Sequence, residues 1–204
     1  MKVISLISQK GGSGKTTMAV SFAVAADRAG KVAAIVDLDP QASAVSWSNR
    51  RAGDPVVVPA APARLESVLT TARENGAELV IIDTAPRAEY AARSAAEAAD
   101  LVVVPCRPAI LDLETVATTA ALVRSAGDLR MVVVLNGVSS RGNRHDQAAD
   151  VLDEMGIPVC PAFFGNRVAF DYAFTVGQTA QEFEPRGKAA DEIKQVYLYI
   201  SKHV

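Results

Sequence analysis

Short, continuously apolar runs alternate with stretches of helical periodicity along the whole chain. Val3–Ile7, Val32–Val36, Val56–Val58, Leu79–Ile82, Leu101–Val104 and Met131–Leu135 are the apolar runs. Such runs are typical of strands buried on both faces. Between and after them, Thr16–Ala29, Ala42–Arg50, Ala63–Arg73, Glu89–Ala99, Leu113–Ser125 and Gln147–Met155 read as helices. Gly30 is placed to close the first helix, and Asn75-Gly76 the third. Pro105 is expected to stop the fifth strand and leave Cys106–Asp112 as a proline-bearing loop. Val159 opens a weak last strand, and Phe170–Val176 and Ala189–Ser201 are expected helices. Strand and helix in alternation predict an α/β fold of three layers, a mostly parallel twisted sheet flanked by helices. No repeat, low-complexity tract or linker interrupts the pattern, so residues 1–204 are expected to form one domain.

Composition narrows the partners. The 204 residues are 50% apolar and 22% charged, ordinary values for a globular protein. With 21 Lys and Arg against 23 Asp and Glu, the net charge is −2, so any nucleic-acid surface must be a local patch. Cys106 and Cys160 lie far apart in no CxxC arrangement and read as reduced thiols. No signal peptide is visible, and no apolar stretch reaches the ~18 residues of a spanning helix. The tail carries Ile193, Val196, Tyr197 and Ile200 at helical spacing, with only Lys194 and Lys202 as basic company. That stripe suits a helix docked on a core better than a membrane anchor.

Chemistry concentrates in the turn after the first strand, Lys10-Gly11-Gly12-Ser13-Gly14-Lys15-Thr16-Thr17. Strand, glycine-rich turn and helix in succession make a phosphate loop. The glycines let backbone N–H groups converge on phosphate oxygens, and the helix adds its positive end. Lys15 fits the lysine that reaches the β- and γ-phosphates, and Thr16 the hydroxyl that binds Mg²⁺. Lys10 is an extra lysine ahead of the glycines, so the loop is not a plain match to the sparse pattern. Asp37, Asp39 and Asp83 stand just past strands, on the edge of the sheet where the glycine loop also lies. Carboxylates gathered beside phosphate repel one another unless a cation such as Mg²⁺ intervenes. As a lone residue, each is a turn or helix-capping aspartate.

These motifs together resemble the ParA/MinD family of deviant-Walker ATPases, most closely the small ParA-type partition ATPases. The residues carrying the resemblance are the glycine loop, Asp37-Leu38-Asp39-Pro40-Gln41, Ile81-Ile82-Asp83-Thr84, the segment Pro105 to Leu113, and Leu135-Asn136-Gly137. It implies a P-loop fold in which Gly11, Gly12, Ser13, Gly14, Lys15, Thr16 and Thr17 hold ATP, with Asn136 on the adenine. Thr16, Asp39 and Asp83 would hold or surround Mg²⁺, and Lys10, Lys15 and Asp39 would act in hydrolysis. Lys10 would cross to the phosphates held by a second subunit, and Asp112 would lie at the dimer contact or cap the helix after it. The resemblance further implies an ATP-dependent homodimer that binds DNA without sequence preference. A ParB-like centromere-binding adaptor would stimulate slow hydrolysis and release it, in the cytoplasm on the nucleoid. Arg167 is the expected DNA contact, among Arg141, Arg144, Arg186, Lys188, Lys194 and Lys202. Lys10 lies too near the start for a preceding helix-turn-helix domain. Two alternatives use the same machinery: a MinD-like regulator on a membrane, or a positioner of protein cargo.

Overall fold

The structure, a computed structural model, describes residues 1–127 and 129–204. Seven strands form one sheet: β1 (Lys2–Leu6), β2 (Ala33–Asp37), β3 (Val56–Pro59), β4 (Leu79–Asp83), β5 (Leu101–Cys106), β6 (Met131–Val138) and β7 (Phe164–Gly165). Their order is β3-β2-β4-β1-β5-β6-β7, and every pairing is parallel. The helices are α1 (Lys15–Arg28), α2 (Ser43–Ser48), α3 (Leu65–Glu74), α4 (Glu89–Glu97), α5 (Ile110–Ala126), α6 (Arg144–Glu154), α7 (Val168–Thr175), α8 (Ala180–Phe183) and α9 (Lys188–Ser201).

Side chains alternate between the sheet's two faces, and each face builds its own core. Ile4, Leu6, Ile35, Ile81, Val103 and Val134 pack with Met18 and Phe22 of α1, Trp47 of α2 and Ile193, Val196 and Ile200 of α9. Val3, Val36, Val80, Ile82, Val102 and Val104 pack with Leu69 of α3, Ala96 of α4, Val116 of α5 and Leu152 of α6. The division follows crossover handedness. Connections that step toward β3 run through α1 and α2; those that step toward β7 run through α3 to α6. Right-handed crossovers demand that split. The tail stripe of α9 docks on the core, with Ile193, Val196 and Ile200 wholly buried.

Several boundaries differ from expectation. Pro105 does not end β5; it pairs in register with Val134. Its missing N–H would point toward β1. Ladder pairing with β1 ends at Leu6 opposite Val103, where β1 turns into the glycine loop. The Ile7 N–H still donates to the Val103 carbonyl at 3.0 Å, so the proline stands where this pairing ends and forgoes only the bond that would follow. The expected loop to Asp112 shrinks to three residues, because α5 begins at Ile110. Val159 makes only an isolated bridge with Val133, and the last strand is β7. Helix α8 was not expected, although its capping box is readable: Thr179 and Glu182 exchange bonds across T-x-x-E.

Candidate nucleotide site

The site assembles at the carboxyl ends of β1, β2, β4 and β6. Gly12 and Gly14 take φ of 68° and 101°, left-handed values that glycine adopts freely. Gly14 immediately precedes α1, so the free N–H groups of the first helical turn open toward the loop. Lys15 is buried inside the curl, its Nζ donating to the carbonyls of Ser8 (3.3 Å) and Lys10 (3.4 Å). Burial pulls the Lys15 pKa down; the charges of Asp83 and Asp39 pull it back up. Thr16 and Thr17 sit in the first turn, half-buried, and Gly11 and Gly12 are exposed.

Asp37 and Asp83 are direct cross-strand partners at the ends of β2 and β4. Their roles separate. Asp37 accepts from the N–H groups of Ala44 (3.0 Å) and Val45 (3.2 Å) and caps α2; its other oxygen accepts from the N–H of Asp39 (3.0 Å). Burial raises its pKa, against those bonds. It is the structural member of the acidic group. Asp83 is wholly buried, and neither of its oxygens has a hydrogen-bond partner. Burial lifts its pKa to about 7, and the Thr16 hydroxyl alongside and Lys15 moderate the rise without a well-formed bond. Asp39 is half-buried in a turn, with Oδ1 accepting from the N–H of Gln41 (2.9 Å). Its charge is felt at both Lys15 and Asp83. Ala42, next along, is held at φ 50°.

A bare buried carboxylate costs several kcal/mol unless a cation meets it. Asp83 beside Thr16, with Asp39 near, therefore fits a hard divalent ion that takes few protein oxygens. No trio of His, Cys, Asp or Glu forms a complete metal cage among the described residues. Mg²⁺ needs none, because phosphate and water supply its remaining ligands.

Lys10 takes a different position from Lys15. It is partly exposed, and its Nζ lies 3.3 Å from Oδ2 of Asp112 in the first turn of α5. Asp112 is not the cap of that helix, since Ala109 precedes it. Asn136 also departs from a free base-reading side chain: its Nδ2 donates to the Ser13 carbonyl at 2.6 Å. A Cβ on Gly14 would stand 2.2 Å from that Nδ2, so the loop and the β6 turn are fitted to each other. Arg107 was missed by sequence reasoning. Its Nη2 lies 3.5 Å from where a Cβ on Gly12 would stand, which sets a third cation over the loop. A basic residue between Cys106 and Pro108, in the segment singled out beforehand, was the available signal.

Arg167 stands apart from this group. Its Nε and Nη2 both engage Oε1 of Glu192 (3.1 and 2.6 Å), tying the start of α7 to α9. Arg141, Arg144, Arg186, Lys188, Lys194 and Lys202 are exposed. Cys106 and Cys160 are free thiols, raised by burial to about 12 and about 11. Of the clustered aromatics, Phe164 is core, stacked on Phe170 at 5.0 Å, whereas Tyr172 is exposed.

Comparison with known proteins agrees with this geometry. The chromosome-partitioning ATPase Soj of Thermus thermophilus is 51% identical over 49 residues, which is 24% of this chain and 20% of the relative's length. The cell division ATPase MinD of Pyrococcus furiosus superposes with a TM-score of 0.80 at 22% identity, over 100% of this chain and 99% of its own. A plasmid partition protein of Borrelia burgdorferi, solved with AMPPNP, gives 0.78 at 15% identity over the same shares. The model of the CobQ/CobB/MinD/ParA nucleotide binding domain matches residues 4–171. Phosphate loop, fold and family model agree: the chain belongs to the CobQ/CobB/MinD/ParA nucleotide binding domain family.

Proposed function

We propose that this chain is an ATP-driven dimerisation switch of the partition type, using ATP and Mg²⁺ and hydrolysing ATP slowly until a partner stimulates it. The placement of its two loop lysines carries the reading. Lys15 is enclosed by its own loop, where it serves the bound nucleotide. Lys10 lies at the rim on Asp112, on the same edge of the sheet, where a second copy could meet it. A cation reaching in trans would join the γ-phosphate of the neighbouring subunit and make dimerisation depend on that phosphate.

Within one subunit, the loop N–H groups and Lys15 bind the phosphates. Thr16 and Asp83 would hold a Mg²⁺, which would supply neutralisation of the phosphate charge. Asp39 orients the attacking water; the bridging oxygen between β- and γ-phosphorus leaves on ADP. Asn136 has one Nδ2 hydrogen engaged with Ser13, which leaves its Oδ1 and the second Nδ2 hydrogen for an adenine contact. The dimer binds DNA without sequence preference, and the cargo is a plasmid or chromosome with a centromere-binding adaptor. The Soj resemblance over 49 residues supports this choice over a membrane regulator.

Lys10→Ala tests the central point. The variant should bind a fluorescent ATP analogue within about twofold of wild type. It should stay monomeric by light scattering with Mg-ATP, where wild type doubles in mass. A variant that dimerises normally sinks the trans-lysine reading.

A further inference from the structure

Asp39 lies in the turn between β2 and α2, its carbonyl accepting from the N–H of Ala42 at 2.8 Å at the start of that helix, and α2 has six residues. A helix that short has no stability of its own and must be held by tertiary contacts. Ala42 at its start sits at φ 50°, a strained value for alanine that persists only where the surroundings over-determine it. Asp37 secures the first turn. What secures the other end comes from more than a hundred residues away.

Trp47 of α2 is fully buried, and its Nε1 donates to the Gln178 carbonyl at 3.0 Å. The Arg51 guanidinium lies over the Trp47 ring, 5.1 Å from its centroid. Arg51 makes a two-pronged bond to Glu182, Nη1 to Oε2 at 3.0 Å and Nη2 to Oε1 at 2.8 Å, and Nη1 also donates to the Gly177 carbonyl at 3.2 Å. Only 11% of the Arg51 side chain is exposed. Glu182 is fixed in turn, accepting from the N–H (2.8 Å) and hydroxyl (2.9 Å) of Thr179. Arg50 adds a bond to the Phe174 carbonyl at 3.2 Å and lies over the Phe174 ring. The same corner is anchored to the phosphate-loop helix: Gln181 donates to the Ser21 carbonyl at 3.1 Å, and Arg28 donates to the Gln181 carbonyl at 3.2 Å.

We propose that Arg51, through Glu182, is a positioning residue for Asp39, locking α2 to the α7–α8 corner and so to α1 and the phosphate loop. A planar guanidinium suits the task. Its fork fixes two directions at once, and its face packs on indole while its edge bonds carboxylate. With the lock open, α2 would shift, the strained Ala42 turn would relax, and the Asp39 carboxylate would leave its line to the attacking water. Misplacement of a catalytic group by about 1 Å lowers turnover by roughly 100-fold. The phosphate loop keeps its own contacts, so nucleotide binding survives.

The inference rests on the proposed ATPase reading, and the experiment separates the two. Trp47 is the chain's single tryptophan, so its emission reports directly on the joint. Wild type, Arg51→Ala and Glu182→Gln are compared by fluorescent-nucleotide affinity, by steady-state turnover of Mg-ATP and by Trp47 emission with and without Mg-AMPPNP. Wild type should bind, hydrolyse, and show an emission change on adding the analogue. Both variants should bind nucleotide within about threefold of wild type and lose kcat by roughly 10- to 100-fold. Arg51→Lys, which keeps the charge but not the fork, should fall between. An unchanged kcat in a folded Arg51→Ala or Glu182→Gln overturns the lock. So does a parallel loss of kcat and affinity in both, which marks general destabilisation. Wild type that neither binds nor hydrolyses ATP overturns the ATPase reading, and the lock with it.

Discussion

Asp83 holds a carboxylate where neither oxygen has a partner, and its pKa stands near 7 against 3.8 for an ordinary aspartate, chiefly through burial. An unfolded chain ionises this group near pH 4, whereas the nucleotide-free fold keeps it protonated up to about 7. Between those values the unfolded state sheds its proton first, so stability falls as pH rises, then levels above 7. Three units correspond to roughly 4 kcal/mol. Asp83→Asn should remove most of that slope between pH 5 and pH 8, read by urea unfolding of the nucleotide-free protein. Asp37, also raised, contributes in the same direction and remains in both proteins. An identical slope in wild type and variant would show that Asp83 is not the source. The same proton competes with metal. Mg²⁺-dependent tightening of nucleotide binding should weaken by about tenfold per pH unit below 7, and Asp83→Asn should abolish it at all pH values.

Elements make the second level, and here the joint between α2 and the α7–α8 corner carries a sharp prediction. Gly177 has φ 70°, and a Cβ on it would stand 2.5 Å from the carbonyl carbon and oxygen of Arg50. Backbone cannot yield as a flexible side chain can. Gly177→Ala should cost about 3 kcal/mol, from left-handed strain plus the clash, seen as a lower midpoint in urea. A shift under about 0.5 kcal/mol would mean that the joint is loose. The same joint marks the limit of what sequence made legible. The phosphate loop, the three aspartates and six of the seven strands carry local signatures, in glycine spacing and apolar runs. Nothing local distinguishes Asp37, the cap, from Asp39; the difference lies in which N–H groups α2 turns toward each. Pro105 was misread because its tolerance depends on where β1 ends, a fact of pairing. The Arg51–Glu182 pair spans 131 residues and leaves no trace in either segment. Arg107 was visible as a basic residue but not as one lying over Gly12.

At the scale of the whole molecule, net charge is −2, so the proposed DNA binding would depend on where cations collect. Helix α9 sets this distribution. Glu192 near its start bonds the Gly165 N–H at the end of β7, while the His203 carbonyl just past its end accepts from Arg130, ahead of β6. The helix therefore runs from the phosphate-loop edge of the sheet to the opposite edge, about 21 Å away. Arg186 and Lys188 lie on the loop edge, with Arg141 and Arg144 following β6 there; Lys202 is at the far edge. Arg167 shares the loop edge, but Glu192 takes two of its five N–H donors, so only Nη1 and the second Nη2 hydrogen are left to meet a phosphate. If the proposed two-fold dimer closes on this edge, both sets of cations come together and DNA affinity depends on the nucleotide. If about three of these five cations per subunit meet phosphates, affinity should fall roughly 10³-fold between 50 and 200 mM salt in the presence of Mg-ATP. Replacing Arg186 and Lys188 by Ala should remove about four contacts per dimer and flatten the salt dependence accordingly. Arg167→Ala should weaken binding less than that double replacement, and should also lower the melting temperature by freeing Glu192 in a partly buried site. Lys202→Ala should leave binding unchanged. If Lys202→Ala matches the double replacement instead, the DNA face lies on the opposite edge, and binding is not governed by closure around the nucleotide.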